Sequence, residues 1–176
     1  QEAENVVRRS FIREKTTVES VLMLAPKDAA LPRYISALKA RLDFQLNGVV
    51  QDIWNHYRAL CDRNGLRPET PKLSPEELAA QKLVPIRNEK LRGPLGLKYV
   101  LEKAGVSPIE GASETLRDER VLYEIFNFID GKNSVWDIRN AVSAEYAPLP
   151  LQDIKTFMDV LAKADVVRFT GVTAKR

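Results

Sequence analysis

Apolar residues recur every three or four positions along several stretches of this chain, which predicts helices before composition is consulted. From about Ala3 to Leu24, Val7, Phe11, Val18, Val21 and Leu22 stand at near-helical spacing interrupted by charge, and Pro26 closes the segment. A stronger stripe follows. Ile35, Leu38, Leu42, Leu46, Val49, Ile53, Tyr57 and Leu60 are separated by intervals of three and four, the mark of one long amphipathic helix. Pro32 suits its first turn and Asn64-Gly65 its end. Gly48 lies inside and costs roughly 1 kcal/mol against alanine, so a kink or a close helix contact is expected there. About thirty helical residues would reach roughly 45 Å, longer than a small globule needs. Two uses are open. The stripe packs on the first helix as a hairpin, or Leu38, Leu42, Leu46, Val49, Ile53 and Tyr57 form a docking surface for another protein.

The pattern then weakens. Residues 63–75 are polar and proline-rich, a linker by composition. Ser74-Pro75-Glu76-Glu77 carries the signature of a capping box, which starts a short helix ending near Lys82. The following LVPIR, 83–87, reads as an extended piece that Pro85 restricts to a sheet edge. Gly93-Pro94 predicts a turn, LGLKYVLEKAGV a helix up to Gly105, and residues 106–117 a loop.

From Asp118 onward the pattern becomes specific. Val121, Leu122, Ile125, Phe126, Phe128 and Ile129 give one helix a broad apolar face, ended by Asp130-Gly131. Ser134 caps the next helix, whose inward positions are Val135, Ile138, Ala141, Val142 and Tyr146. Pro148 and Pro150 break the chain before a third helix carrying Ile154, Phe157, Met158 and Leu161. Ala164-Asp165 ends it, and VVRF begins a strand. Three helices and a closing strand are the order of a winged-helix-like module. Phe128 and Trp136 are expected in its core, each worth roughly 3–5 kcal/mol on truncation to alanine if fully buried. The expected fold is thus mainly α with minimal β. Its parts are a helical hairpin over 1–65, a linker with short helices and an extended segment over 66–117, and the module over 118–176.

Composition adds mostly exclusions. With 44% hydrophobic and 29% charged residues the chain has the balance of a globular domain, and 27 cations against 24 anions nearly cancel. The single cysteine, Cys61, excludes an internal disulfide and fits a buried helix position. The start at Gln1, without an apolar leader, reads as a piece cut from something longer. Catalysis finds few side chains to work with. His56 is the one histidine, HExxH and CxxC are absent, and the eight glycines form neither GxGxxG nor a phosphate loop. His56 and Cys61 stand five apart on one helix, outside i,i+4 reach. Glu76-Glu77, Asp118-Glu119 and Asp52 are explained by helix starts or solvated faces. No catalytic residue, metal ligand or cofactor is therefore expected. DNA binding fares little better. The outward positions of the third helix include Asp153 and Asp159 and no arginine, while Arg87, Lys90 and Arg92 form only a modest basic cluster elsewhere.

The residues YEIFNFIDGKNSVWDIRNAVSAEY, followed by PLPLQDIKTFMDVLAKADVV, resemble the terminal helical region of bacterial secreted di-zinc aminopeptidases of the leucyl-aminopeptidase-like kind. Pro85-Ile86-Arg87, Gly93-Pro94-Leu95 and the long helix ending in HYRAL look like the connecting region there. The turn and helices from Asp130 also resemble the small peptide-binding chaperone of pyrroloquinoline quinone biosynthesis, although most of its preceding strands have no counterpart. Neither family's functional residues have matching positions here. The first resemblance implies a non-catalytic accessory region of a zinc aminopeptidase, serving packing, oligomerisation or access to the active site, in a secreted or periplasmic protein. Its partners would be its own catalytic domain, a second copy or a peptide. The alternative is an independent protein- or peptide-binding adaptor, with DNA binding third.

Overall fold

A computed structural model of the chain describes residues 1–91, 96–105 and 117–170. The expected Gly93-Pro94 turn, Arg92 of the basic cluster and the 106–116 loop lie outside the described residues. The fold is mainly α, with helices α1 Glu2–Ser20, α2 Leu31–Arg63, α3 Pro75–Ala80, α4 Leu97–Ala104, α5 Glu119–Phe128, α6 Val135–Glu145 and α7 Leu151–Lys163. Two short strands, β1 Val84–Arg87 and β2 Val167–Thr170, complete it. The chain divides into two compact units, Gln1–Pro71 and Lys72–Arg176.

The first unit is the helical hairpin. Helix α1 passes through a 3-10 turn, Val21–Met23, and the connection carries its own start signal for α2: the Asp28 carboxylate accepts from the amides of Ala30 and Leu31. With 33 residues, α2 runs roughly 50 Å. It ends as Asn64-Gly65 suggests. Gly65 takes φ +64°, and the amides of Gly65 and Leu66 close back on the carbonyls of Asp62 and Cys61 at 3.2 and 2.9 Å. Of the two expectations at Gly48, the close contact is corrected. The helix continues through it, and a Cβ there would meet nothing within 4 Å, so no close contact requires the glycine.

The second unit holds the main core. Ile125 of α5, Ile138 of α6, Leu149, and Ile154, Phe157 and Leu161 of α7 are wholly buried together. Residues 72–91, read from sequence as part of a linker, are built into this unit. The Ser74 capping box forms, with the Glu77 amide donating to Ser74 Oγ at 3.2 Å and the Ser74 amide to the Glu77 carboxylate at 2.7 Å. Strand β1 then pairs antiparallel with β2, Val84 opposite Thr170 and Arg87 opposite Val167. Pro85, which has no amide hydrogen, is tolerated because a two-stranded sheet is all edge. The strand after the third helix thus pairs backward with β1. Among the described residues no third strand forms a wing, so the sheet gives the winged-helix comparison no support.

Polar contacts fix the loops around this core. Asn88, buried beyond β1, donates from Nδ2 to the Asp165 carbonyl and carboxylate at 2.8 and 2.9 Å. That holds Asp165 at φ 57°, a left-handed conformation aspartate tolerates better than most residues, and so ends α7. Buried Arg139 lies with its guanidinium 5.5 Å from the Trp136 ring centre and donates from Nε to the Leu149 carbonyl at 2.6 Å. Ser143 Oγ accepts from the Leu149 amide at 3.0 Å. The proline-flanked Leu149 is thereby pinned to α6 through both of its backbone polar groups.

Candidate protein-binding surfaces

In the hairpin, helix geometry decides what becomes of the predicted stripe. Two ion pairs join α1 to α2, Lys15 to Asp43 at 2.6 Å and Glu19 to Lys39 at 2.9 Å, and their order shows that the helices run antiparallel. Of the six stripe residues, Leu46 is buried, while Leu38, Leu42, Ile53 and Tyr57 are half-buried and Val49 remains 39% exposed. Much of the stripe is therefore spent on holding the hairpin together. One flank stays open. Tyr57 also has a polar duty, its hydroxyl accepting from the Glu69 amide at 3.1 Å, and Trp54 stands edge-on to its ring at 5.8 Å. A concavity of about 310 Å³ lies beside them, lined by Ala3, Ile53, Trp54, His56 and Leu60 among others. His56 is exposed on its rim, and Cys61 is buried as expected.

The second unit presents a surface that sequence reasoning did not single out. A shallow concavity of about 580 Å³ is lined by Lys98 of α4, Arg120, Tyr123 and Phe126 of α5, and Tyr146 at the end of α6. Tyr123 is 62% and Tyr146 40% exposed. The inward position expected for Tyr146 is corrected here. Helix α6 ends at Glu145, and Tyr146 takes φ −117° and ψ −78°, so its ring leaves the helical register. Tyr123 carried a signal that could have been read, an aromatic ring off the apolar face of α5.

The electrostatics of this surface are set by α5's first turn. Asp118 caps the helix by accepting from the Arg120 amide at 2.9 Å, and its carboxylate grips the Arg120 guanidinium at 2.7–3.2 Å. Side-chain bonding to Arg120 holds the Asp118 carboxyl below its usual range, and the same bond raises the Arg120 guanidinium. Burial, then the charges of Glu124 and Glu145, push the Tyr146 phenol up. At neutral pH the phenol thus stays protonated, able to donate and to accept a hydrogen bond. This suits recognition: an amphipathic aromatic pair beside charges of both signs.

Among the described residues, no group of three or more His, Cys, Asp or Glu could hold a metal ion, and no helix is long and apolar enough to cross a membrane. Comparison with protein families, curated proteins and solved structures finds no match for this chain, so the resemblances noted above rest on the residues that carry them.

Proposed function

We propose that this chain is a non-catalytic, protein-binding region, an accessory part of a zinc aminopeptidase-type protein. The observation that carries the binding role is the concavity of α4, α5 and α6, where Tyr123, Phe126 and Tyr146 gather beside Arg120 and Lys98. Tyrosine and arginine are enriched among residues that dominate binding energy, because each offers a broad apolar body and a polar tip. The link to a peptidase is supported chiefly by the Asp130-Gly131 to Tyr146 pattern, and a secreted or periplasmic location follows only with that link. In this role the surface docks on the catalytic domain and shapes access to its active site.

Two measurements test it. Zinc added to the isolated chain should produce no hydrolysis of an aminoacyl chromogenic substrate, and zinc-dependent turnover abolished by His56→Ala would contradict the non-catalytic role. If a zinc-peptidase domain is encoded in the same reading frame, that domain made separately should bind the chain, and Tyr123→Ala should weaken binding roughly tenfold or more. Binding indifferent to both Tyr123→Ala and Tyr146→Ala would remove the surface from consideration. A second reading, an independent peptide-binding adaptor, uses the same tyrosines. It is favoured if displayed peptides bind the chain tightly, lose affinity in those variants, and no peptidase domain shares the frame.

A further inference from the structure

Resting on the docking role above and naming what docks, we propose that the tyrosine concavity receives a basic side chain of the partner, an arginine or lysine laid against the Tyr123 and Tyr146 rings. Two cations and two anions line it, Lys98 and Arg120 against Glu119 and Glu124. The count is even, but the cations already have anionic partners. The Asp118 carboxylate holds the Arg120 guanidinium through Nε and Nη2 at 2.7–3.2 Å. Lys98 has Glu102 one turn along α4 at 3.9 Å. Glu119 and Glu124 form no ion pair with any of the described residues. What the lining leaves unneutralised is therefore negative.

The Tyr146 hydroxyl senses the same sign. After burial, the charges of Glu124 and Glu145 weigh most on it; the opposing Arg120 guanidinium ranks behind them, and Asp118 adds to the carboxylates. The phenol is pushed up as a result. A guanidinium on the lining does not offset the carboxylates around this ring.

The rings select for the same charge. Aromatic faces carry the negative end of the ring quadrupole and attract cations. Tyr123 and Tyr146 are both exposed, while Phe126 is half-buried and packs on the core with its ring edge-on to Phe157. The concavity thus joins an apolar wall to open aromatic rings and unpaired carboxylates. Arginine and lysine match all three, since their stems are apolar and only their tips are charged. A bare metal ion has no stem to cover the wall. Arginine fits best, because its planar guanidinium can stack on a tyrosine while its donors reach a glutamate carboxylate in pairs. An acidic side chain would meet Glu119 and Glu124, and would have to displace Asp118 or Glu102 to reach a cation.

The full chain, titrated by amide NMR, tests this with four blocked peptides of leucine and serine that differ only in a central arginine, lysine, methionine or glutamate. The arginine peptide should bind tightest and shift the amides of Tyr123, Glu124 and Tyr146. Its affinity should exceed that of the methionine peptide by about fivefold or more, with the glutamate peptide weakest. Glu124→Gln keeps the shape and removes the charge; it should weaken the arginine peptide by about two- to fivefold and leave the methionine peptide unchanged. Added salt should act in the same direction. A glutamate peptide that binds as tightly as the arginine one overturns the assignment. So does an arginine preference that survives in both Glu124→Gln and Glu119→Gln, or no binding by any of the four. Peptides bound without regard to charge but lost in Tyr123→Ala would sink the basic side chain and leave the docking role standing. Docking on a peptidase domain is read in its own binding assay, so the arginine preference can hold where that role fails.

Discussion

Replacing Phe157 with alanine probes where the second unit concentrates its stability. The ring is fully buried on α7 and meets Phe126 edge-on, centroids 5.6 Å apart and planes at 82°. Truncating a buried phenylalanine costs about 3–5 kcal/mol in lost transfer energy and residual cavity. The aromatic pair accounts for about 0.5–1.5 kcal/mol of such a contact beyond its area. A unit of roughly 100 residues is stable by only about 5–15 kcal/mol, so the substitution removes a large share. At about 4–8 °C per kcal/mol for a domain of this size, the melting temperature should fall by roughly 15–30 °C. Phe128 makes the control. Sequence reasoning placed it in the core at the same cost if buried, yet it is half-buried and only packs against the core from outside. Phe128→Ala should therefore cost about half as much, whereas Trp136, 8% exposed, keeps its full expectation. Each unit contains one tryptophan, so in a Trp54→Phe background the fluorescence of Trp136 reports the second unit alone. Equal shifts for Phe157→Ala and Phe128→Ala, or a Phe157→Ala transition within a few degrees of the parent's, would refute this placement of the core.

Three further outcomes follow from individual contacts. Arg139→Met strips the Leu149 carbonyl of its charged donor and the Trp136 ring of the guanidinium beside it; urea denaturation should show a loss of about 1.5–3 kcal/mol, and no loss would mean the latch contributes nothing. Ser134→Ala removes the cap of α6, in which Ser134 Oγ accepts from the Asp137 amide at 3.1 Å, and should cost about 1 kcal/mol, with Ser134→Gly costing less. Asp130 titrates below its usual range: partial burial pushes it up, but amide bonds from Asn133 and Lys132, 2.8 Å each, outweigh that. A carboxyl depressed in the folded state adds stability that is present above its unfolded value near 4 and lost as pH falls through the folded value. The Asp130→Asn variant should accordingly lose less stability on acidification below about pH 4, and superimposable acid limbs would show the turn does not couple to folding.

What was legible in the sequence was whatever a local rule governs. Glu77 three residues past Ser74, Asp137 three residues past Ser134, and Gly65 after Asn64 each satisfy orphan backbone groups within a few residues, so helix ends could be read from them. The mainly helical class followed from the same spacing. Partnerships across the chain could not be read that way. Val84–Arg87 announced an edge strand but not that its mate lay at Val167–Thr170, because pairing is decided by how the core of α5, α6 and α7 closes between them. The tyrosine surface was missed for a related reason. Periodicity assigns a residue to a face only while the helix lasts, and Tyr146 is the first residue beyond α6, where that rule stops applying.

The stripe on α2 was open between hairpin core and docking surface; Leu46 lies in the hairpin core, while Val49 stays 39% exposed. The hairpin's buried residues all lie on α2, and α1 closes over them with half-buried Val7, Phe11 and Val18 and two ion pairs. Were a second copy needed to complete the hairpin, its stability would be linked to association and would depend on protein concentration. The second unit, with its own buried core, need not. Trp54 lies in the hairpin and Trp136 outside it, so single-tryptophan variants, each keeping one of the two, separate the transitions. The Trp54 midpoint, like the Trp136 midpoint, should stay fixed with concentration, because Leu46, Val50 and two ion pairs already close α1 on α2 within one chain. A Trp54 midpoint that rises between dilute and concentrated protein would refute this and mean that the hairpin is completed by association.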